Sequence, residues 1–255
     1  GDMVTAALLD LGADEAVLRK ALASLPLDGF SIKISRVKKS GLDACDFDVV
    51  LDAAHENHDH DMAYLYGDYH EHTHEHHHDH EEHHADAPHG HDHNAHHHEH
   101  RGLHEILDIL NRAELTDRAR ATAVRIFTIL GKAEAKAHGA TLETVHFHEV
   151  GAVDSIVDIT AAAVCLDNLG IDEVIIPALY EGTGTVRCAH GVLPIPVPAV
   201  VNLCQAGNIA LTPAPVAGEL VTPTGAAIVA ALRTSEHLPA RYRIEAVGYL
   251  SLIHI

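Results

Sequence analysis

The chain has 255 residues, 47% of them hydrophobic, which is enough for a core and rules out wholesale disorder. The 37 acidic residues against 17 basic ones give a formal charge of −20, which excludes a counterion-displacing nucleic-acid face and docking on anionic lipid. No apolar run approaches the roughly 18–20 residues of a membrane span, and with 4% aromatics and no Trp no base-stacking platform is expected.

Residues 3 to 25 predict two short helices. Met3, Ala6, Ala7, Leu8 and Leu11 form one apolar face that Gly12 ends, and Asp14 caps a second helix running to Leu25-Pro26. Phe30 to Val37 alternates as a strand does, and Phe47 to Leu51 predicts a second strand, so residues 1–54 read as an αα-ββ unit. Residues 55–100 have no apolar periodicity and read as a disordered, low-complexity insert.

Periodicity resumes near Gly102 with the stripe Leu103, Ile106, Leu107 and Leu110. Thr116 or Asp117 then caps a longer helix through Ala137 that Gly139 ends. Val153, Ile156, Val157, Thr160, Ala161 and Val164 mark a helix stopping at Gly170, and Val174 to Ile176 a strand. Leu179 to Pro198 reads as strands joined by tight turns, Pro198 to Cys204 and Pro223 to Leu232 as helices, and Arg241 to Val247 as a last strand. Helices and strands alternating after residue 102 predict an α/β fold, or mixed α+β, with 101–249 as its core.

Of the 26 histidines, 19 lie in 55–100, together with twelve Asp or Glu and no Lys or Arg. Imidazole is mostly neutral at pH 7, its unperturbed pKa being about 6.5, and neutral imidazole suits Ni, Zn, Cu and Co. Runs such as His76, His77, His78 and His96, His97, His98 offer interchangeable ligand sets. A chain that must be ordered around each ion binds with modest affinity, high capacity and fast exchange, without selecting nickel over zinc. The plainer alternative is a solvated acidic linker. Four scattered cysteines with no CxxC pair exclude a zinc ribbon and favour a reducing compartment, the cytoplasm. The chain begins at Gly1 and shows no signal peptide.

The segment from His146 to Asp158 is dense in donors. If 146–148 is extended, His146 and His148 point to the same side, with Glu149 next. Asp154 and Asp158 are spaced i, i+4 near a helix start. Brought together, His146, His148, Glu149, Asp154 and Asp158 would suit a divalent metal, or a metal with a phosphate at the helix N-terminus. On spacing alone, an equal alternative is that Glu149 and Asp154 only offset the helix dipole. Asp2 stands at a helix start as cap or ligand. Gly184, Arg187 and His190 lie in a glycine-rich stretch suited to an anionic ligand or to a simple hairpin. Thr222, Thr224 and Gly225 form a helix start that can bind an anion or be a turn and cap.

In order, GDM, LLDLG, the His-rich insert, RGLHEIL, HFHEVGAVDSIVDI, RCAHGVLPIPVPA, GELVTPTGAA and RIEAVGYL resemble the LarC family, which inserts nickel to form the nickel-pincer nucleotide. The resemblance runs from Gly1 to about Tyr249. It implies a CTP-dependent nickel cyclometallase that forms two Ni–S bonds and one Ni–C bond on pyridinium-3,5-bisthiocarboxylic acid mononucleotide, giving CMP and diphosphate. The product serves lactate racemase and related apoenzymes.

Loss of a ring proton requires a base, for which Glu149 and His148 are the candidates. Family members begin SGxSGDM and continue into a C-terminal domain, where CTP and its Mg or Mn ion are expected. The sequence stops where that domain is expected to begin, and residues 250–255 read as an artefactual tail. A homo-oligomer is compatible with the resemblance, and the fragment alone is expected to be inactive. The alternatives are a nickel or zinc storage and delivery chaperone without catalysis, and a metal-dependent hydrolase.

Overall fold

The computed structural model describes residues 1–39, 41–52, 101–145, 147, 152–188 and 190–251. The N-terminal part is α1 (Asp2–Asp10), α2 (Glu15–Ala23), β1 (Phe30–Lys39) and β2 (Leu42–Leu51). After residue 101 come α3 (Leu103–Arg112), α4 (Asp117–His138), α5 (Val153–Asn168), β3 (Leu179–Thr183), β4 (Thr185–Cys188), β5 (Gly191–Pro194), α6 (Pro198–Gly207), β6 (Leu211–Ala217) and α7 (Pro223–Leu232). The result is a mixed α/β fold.

The ends of the helices follow the local sequence. Asp14 accepts the amides of Ala16 and Val17 at the start of α2, and Thr116 accepts that of Ala119 at the start of α4. Gly139 closes α4 in the left-handed region, where a residue without Cβ is unstrained. Helix α5 is the centre of the fold. Thirteen of its 16 residues are buried, as expected of a helix with apolar or small side chains on nearly every face. It packs against α1, α2, α4 and β2, and α4 in turn carries α3, α6 and α7. Ile126, Phe127, Leu130, Ile156 and Ile159 are fully buried, each stabilising the fold by about 1.5–3 kcal/mol.

The strands form three small sheets: β1–β2 antiparallel from Phe30↔Leu51 to Lys39↔Leu42, β4–β5 antiparallel, and β3–β6 parallel. Where β3 and β6 meet, a Cβ on Gly182 would overlap the carbonyl oxygen of Gly218, so the approach requires glycine.

Several elements differ from expectation. Strand β2 begins at Leu42, five residues early, because cross-strand pairing with β1 continues to the turn. The expected strand at 174–176 is a single bridge, Ile175 to Ser235. The expected strand Arg241 to Val247 has no regular secondary structure and is exposed throughout. Strand β6 was not expected at all. The insert 55–100 lies outside the described residues. Leu250 and Ser251 run beside β2: the Cys45 amide donates to the Tyr249 carbonyl and the Ser251 amide to the Cys45 carbonyl, both at 2.9 Å. No helix among the described residues is long and apolar enough to cross a membrane.

Candidate functional site

Two acids on α5 define the first region. Asp154 and Asp158 lie one turn apart on the same face, each 6% exposed. Buried carboxylates require hydrogen-bond donors or a cation. Asp158 Oδ2 accepts the Asp2 amide at 2.9 Å and lies 3.6 Å from the Gly1 nitrogen. A Cβ on Gly1 would overlap Asp158, so the start of α1 reaches the carboxylate only because residue 1 is glycine. It is therefore the Asp2 backbone that meets α5.

Phe147 fixes the approach to this helix. Its ring is 2% exposed and lies over Gly131 of α4, where an added Cβ would come within 3.1 Å of the ring. Its amide donates to the Arg101 carbonyl at 3.2 Å in an antiparallel bridge. The last residue boundary of the His-rich insert is thereby joined to the donor-dense segment. His146, His148 and Glu149 lie outside the described residues, as do His76, His77, His78, His96, His97 and His98. Of the expected metal ligands, Asp154 and Asp158 are the two that the described residues include. No group of three or more His, Cys, Asp or Glu able to hold a metal ion occurs among the described residues.

The second region surrounds the start of α7. Thr222 caps this helix, its Oγ1 accepting the Gly225 amide at 3.2 Å, and Thr224 lies in the first turn. The preceding loop is held by Glu181 of β3, which is 3% exposed. One oxygen, Oε1, accepts the amides of Gly182, Leu220 and Val221 at 2.8, 2.9 and 3.2 Å. Three of the N–H groups that an anion would use at this turn, those of Leu220, Val221 and Gly225, are therefore already bonded to protein oxygens. A phosphate here would also meet the Glu181 carboxylate. Burial pushes the Cys204 thiol up, and the Glu181 charge adds to the shift.

The remaining candidates lie on the intervening hairpin. Gly184, at φ +103°, joins β3 to β4; Arg187 is on β4 opposite Val192; and exposed His190 stands in the turn before β5. Sequence reasoning missed Glu181. An acid in a strand followed by glycine was its only local signal, and two of its three partners are 39 and 40 residues away. His138, at the end of α4, was also missed; its ring centroid is 4.7 Å from that of His190.

A family model described as nickel insertion protein matches residues 1–251. The chain is similar to the pyridinium-3,5-bisthiocarboxylic acid mononucleotide nickel insertion protein of Alkaliphilus metalliredigens (strain QYMF), with 50% identity over 248 residues, covering 97% of this chain and 53% of that protein. It is 46% identical over 232 residues to the protein of the same description from Clostridium acetobutylicum, covering 91% of this chain and 52% of the other. A putative nickel insertion protein of Geobacter sp. (strain M21) is 40% identical over 232 residues, covering 91% and 49%. The chain spans about half the length of these curated relatives. No solved structure matches it. With a family model over nearly its whole length and relatives up to half identical, the chain belongs to the nickel insertion protein family.

Proposed function

We propose that this chain is the nickel-holding part of a cytoplasmic, CTP-dependent cyclometallase that inserts nickel(II) into pyridinium-3,5-bisthiocarboxylic acid mononucleotide. The observation that carries this is the bridge between Arg101 and Phe147. It pairs Arg101, the residue that follows the 19-histidine tract in sequence, with Phe147 of the HFHE sequence, and α5 with its buried Asp154 and Asp158 follows from Val153. Metal gathered loosely by the tract would pass to a compact set of His146, His148, Glu149, Asp154 and Asp158. Imidazole and carboxylate donors are harder than the thiocarboxylate sulfurs of the substrate, so softness favours transfer of nickel onto the substrate. Closing the Ni–C bond releases the ring proton to Glu149 or His148 as base. Gly184, Arg187, His190 and Thr224 remain the candidates for contacts to the substrate nucleotide, the Thr222 hydroxyl and the Gly225 amide being bonded to each other. CTP and its Mg or Mn ion would be bound by a C-terminal domain, and the product would pass to an apoenzyme of the lactate racemase type.

Nickel, CTP and the bisthiocarboxylated nucleotide, mixed with the protein carrying that domain, are expected to give the nickel-pincer product and CMP. Glu149→Gln should retain fold and nickel uptake but lose product; retained turnover removes Glu149 as base. A second reading, nickel or zinc storage and delivery without catalysis, is favoured by the composition of 55–100. Nickel uptake without CTP consumption would select it. Equal metal stoichiometry in equilibrium dialysis with and without 55–100 would remove the tract from both readings.

A further inference from the structure

We propose that His138 and His190 form a two-imidazole clip for a divalent metal ion, with Glu134 orienting the His138 ring. His138 is the last residue of α4, and His190 lies in the turn between β4 and β5. Their ring centroids are 4.7 Å apart, with the planes at 65°. An ion bonded at about 2.0 Å to one nitrogen of each ring stands about 3.2 Å from each centroid; the centroids are then about 4.5 Å apart for a 90° angle and about 5.2 Å for a tetrahedral one. The observed separation falls inside that interval.

Glu134 stands one turn earlier on the same face of α4, its Oε2 3.5 Å from His138 Nε2 and its side chain 15% exposed. A half-enclosed carboxylate beside one ring nitrogen is the usual outer partner of a metal-bound histidine: it fixes the ring orientation and raises the basicity of the other nitrogen. No group of three or more metal-holding side chains occurs among the described residues, so two imidazoles are the donors that these residues supply. Imidazole donors select nickel, zinc, copper or cobalt over magnesium or calcium. The choice of nickel as its natural ion rests on the function proposed above, whereas the clip rests on the three side chains alone. An ion held there would tie the β4–β5 turn, which follows Arg187 on β4, to the end of the long helix α4.

The test is carbethoxylation of the full chain during titration with nickel(II), each histidine being read by peptide mass spectrometry. His138 and His190 are expected to become protected together, with one midpoint. His190→Gln, at an exposed turn, should abolish protection of His138, and His138→Gln that of His190, while exposed His237 serves as the unprotected reference. Glu134→Gln should raise the midpoint roughly 10- to 100-fold. Protection of either ring that survives loss of the other overturns the clip, as does absence of protection at nickel concentrations that protect the 55–100 tract. If one variant fails to fold in a metal-free melt, the reciprocal variant decides alone. The readout is occupancy, so a failed clip is distinguishable from a failed insertion activity.

Discussion

Asp158 and Glu181 are both carboxylates buried in the fold, and both accept backbone amides near the start of a helix remote in sequence. Their surroundings differ. Glu181 spends one oxygen on three amides and so fastens β3 to the loop before α7, while its other oxygen is buried without a hydrogen bond. Asp158 has a second acid, Asp154, one turn away on the same helix face. Like charges at that spacing repel, and a cation between them removes the repulsion. The comparison separates an acid that braces the fold from the acid pair proposed above to hold nickel.

The largest effect should come from the brace. Glu181→Ala strands three amides and is expected to cost about 3 kcal/mol, or roughly 10 °C in melting midpoint, while Glu181→Gln keeps an acceptor oxygen and should lose less. A Glu181→Ala chain melting with the unaltered protein would show that the brace is not needed. Next, Asp158→Asn and Asp154→Asn should change stability by under about 1 kcal/mol yet weaken nickel retention about tenfold against a competing chelator. Unchanged retention in both would break the contrast.

Asp10 gives a smaller effect. A hydrogen bond from Arg36 and another from the Tyr249 amide hold its carboxyl below the usual range, against the opposing effect of burial. Its contribution is present above the unfolded value of about 3.9 and is lost as pH falls through the lower folded value. Because Arg36 is half exposed, Asp10→Asn should cost less than about 1 kcal/mol at pH 7. Urea midpoints of the two chains should converge in acid. The smallest effect is on thiols. Burial pushes Cys165 up to about 12, whereas Cys188 is only partly buried and should alkylate first. Glu181→Gln removes the charge that raises Cys204, so Cys204 should alkylate faster than in the unaltered chain under native conditions. An unchanged rate would show that burial alone governs that thiol.

Elements with a local cause were legible in the sequence. Asp14, Thr116 and Gly139 mark helix ends through bonds to neighbouring residues, and the spacing of Ile156, Val157 and Thr160 marks a buried face. What depends on a distant partner was not. Arg241 to Val247 alternates as a strand does, yet all its residues are exposed, because alternation does not supply a neighbour. Strand β6 reads Leu-Thr-Pro-Ala-Pro-Val-Ala, and its prolines argue against a central strand. In a two-stranded sheet every strand is an edge, so an absent amide can face away from the ladder. In the site, the i, i+4 spacing of Asp154 and Asp158 was visible, whereas the amide that Asp158 accepts lies 156 residues away.

The Arg101 bridge also ties down one of the two described residues that flank positions 53–100. The other is Asp52, whose amide donates to the Gly29 carbonyl. No residue between them is more than about 24 positions from an anchor, and at about 3.5 Å per residue none can stray beyond roughly 85 Å. Nineteen imidazoles confined to that volume amount to roughly 10 mM or more, whatever the dilution of the protein itself. At nanomolar protein, an ion leaving one ring would meet another of the same molecule long before it met a second molecule.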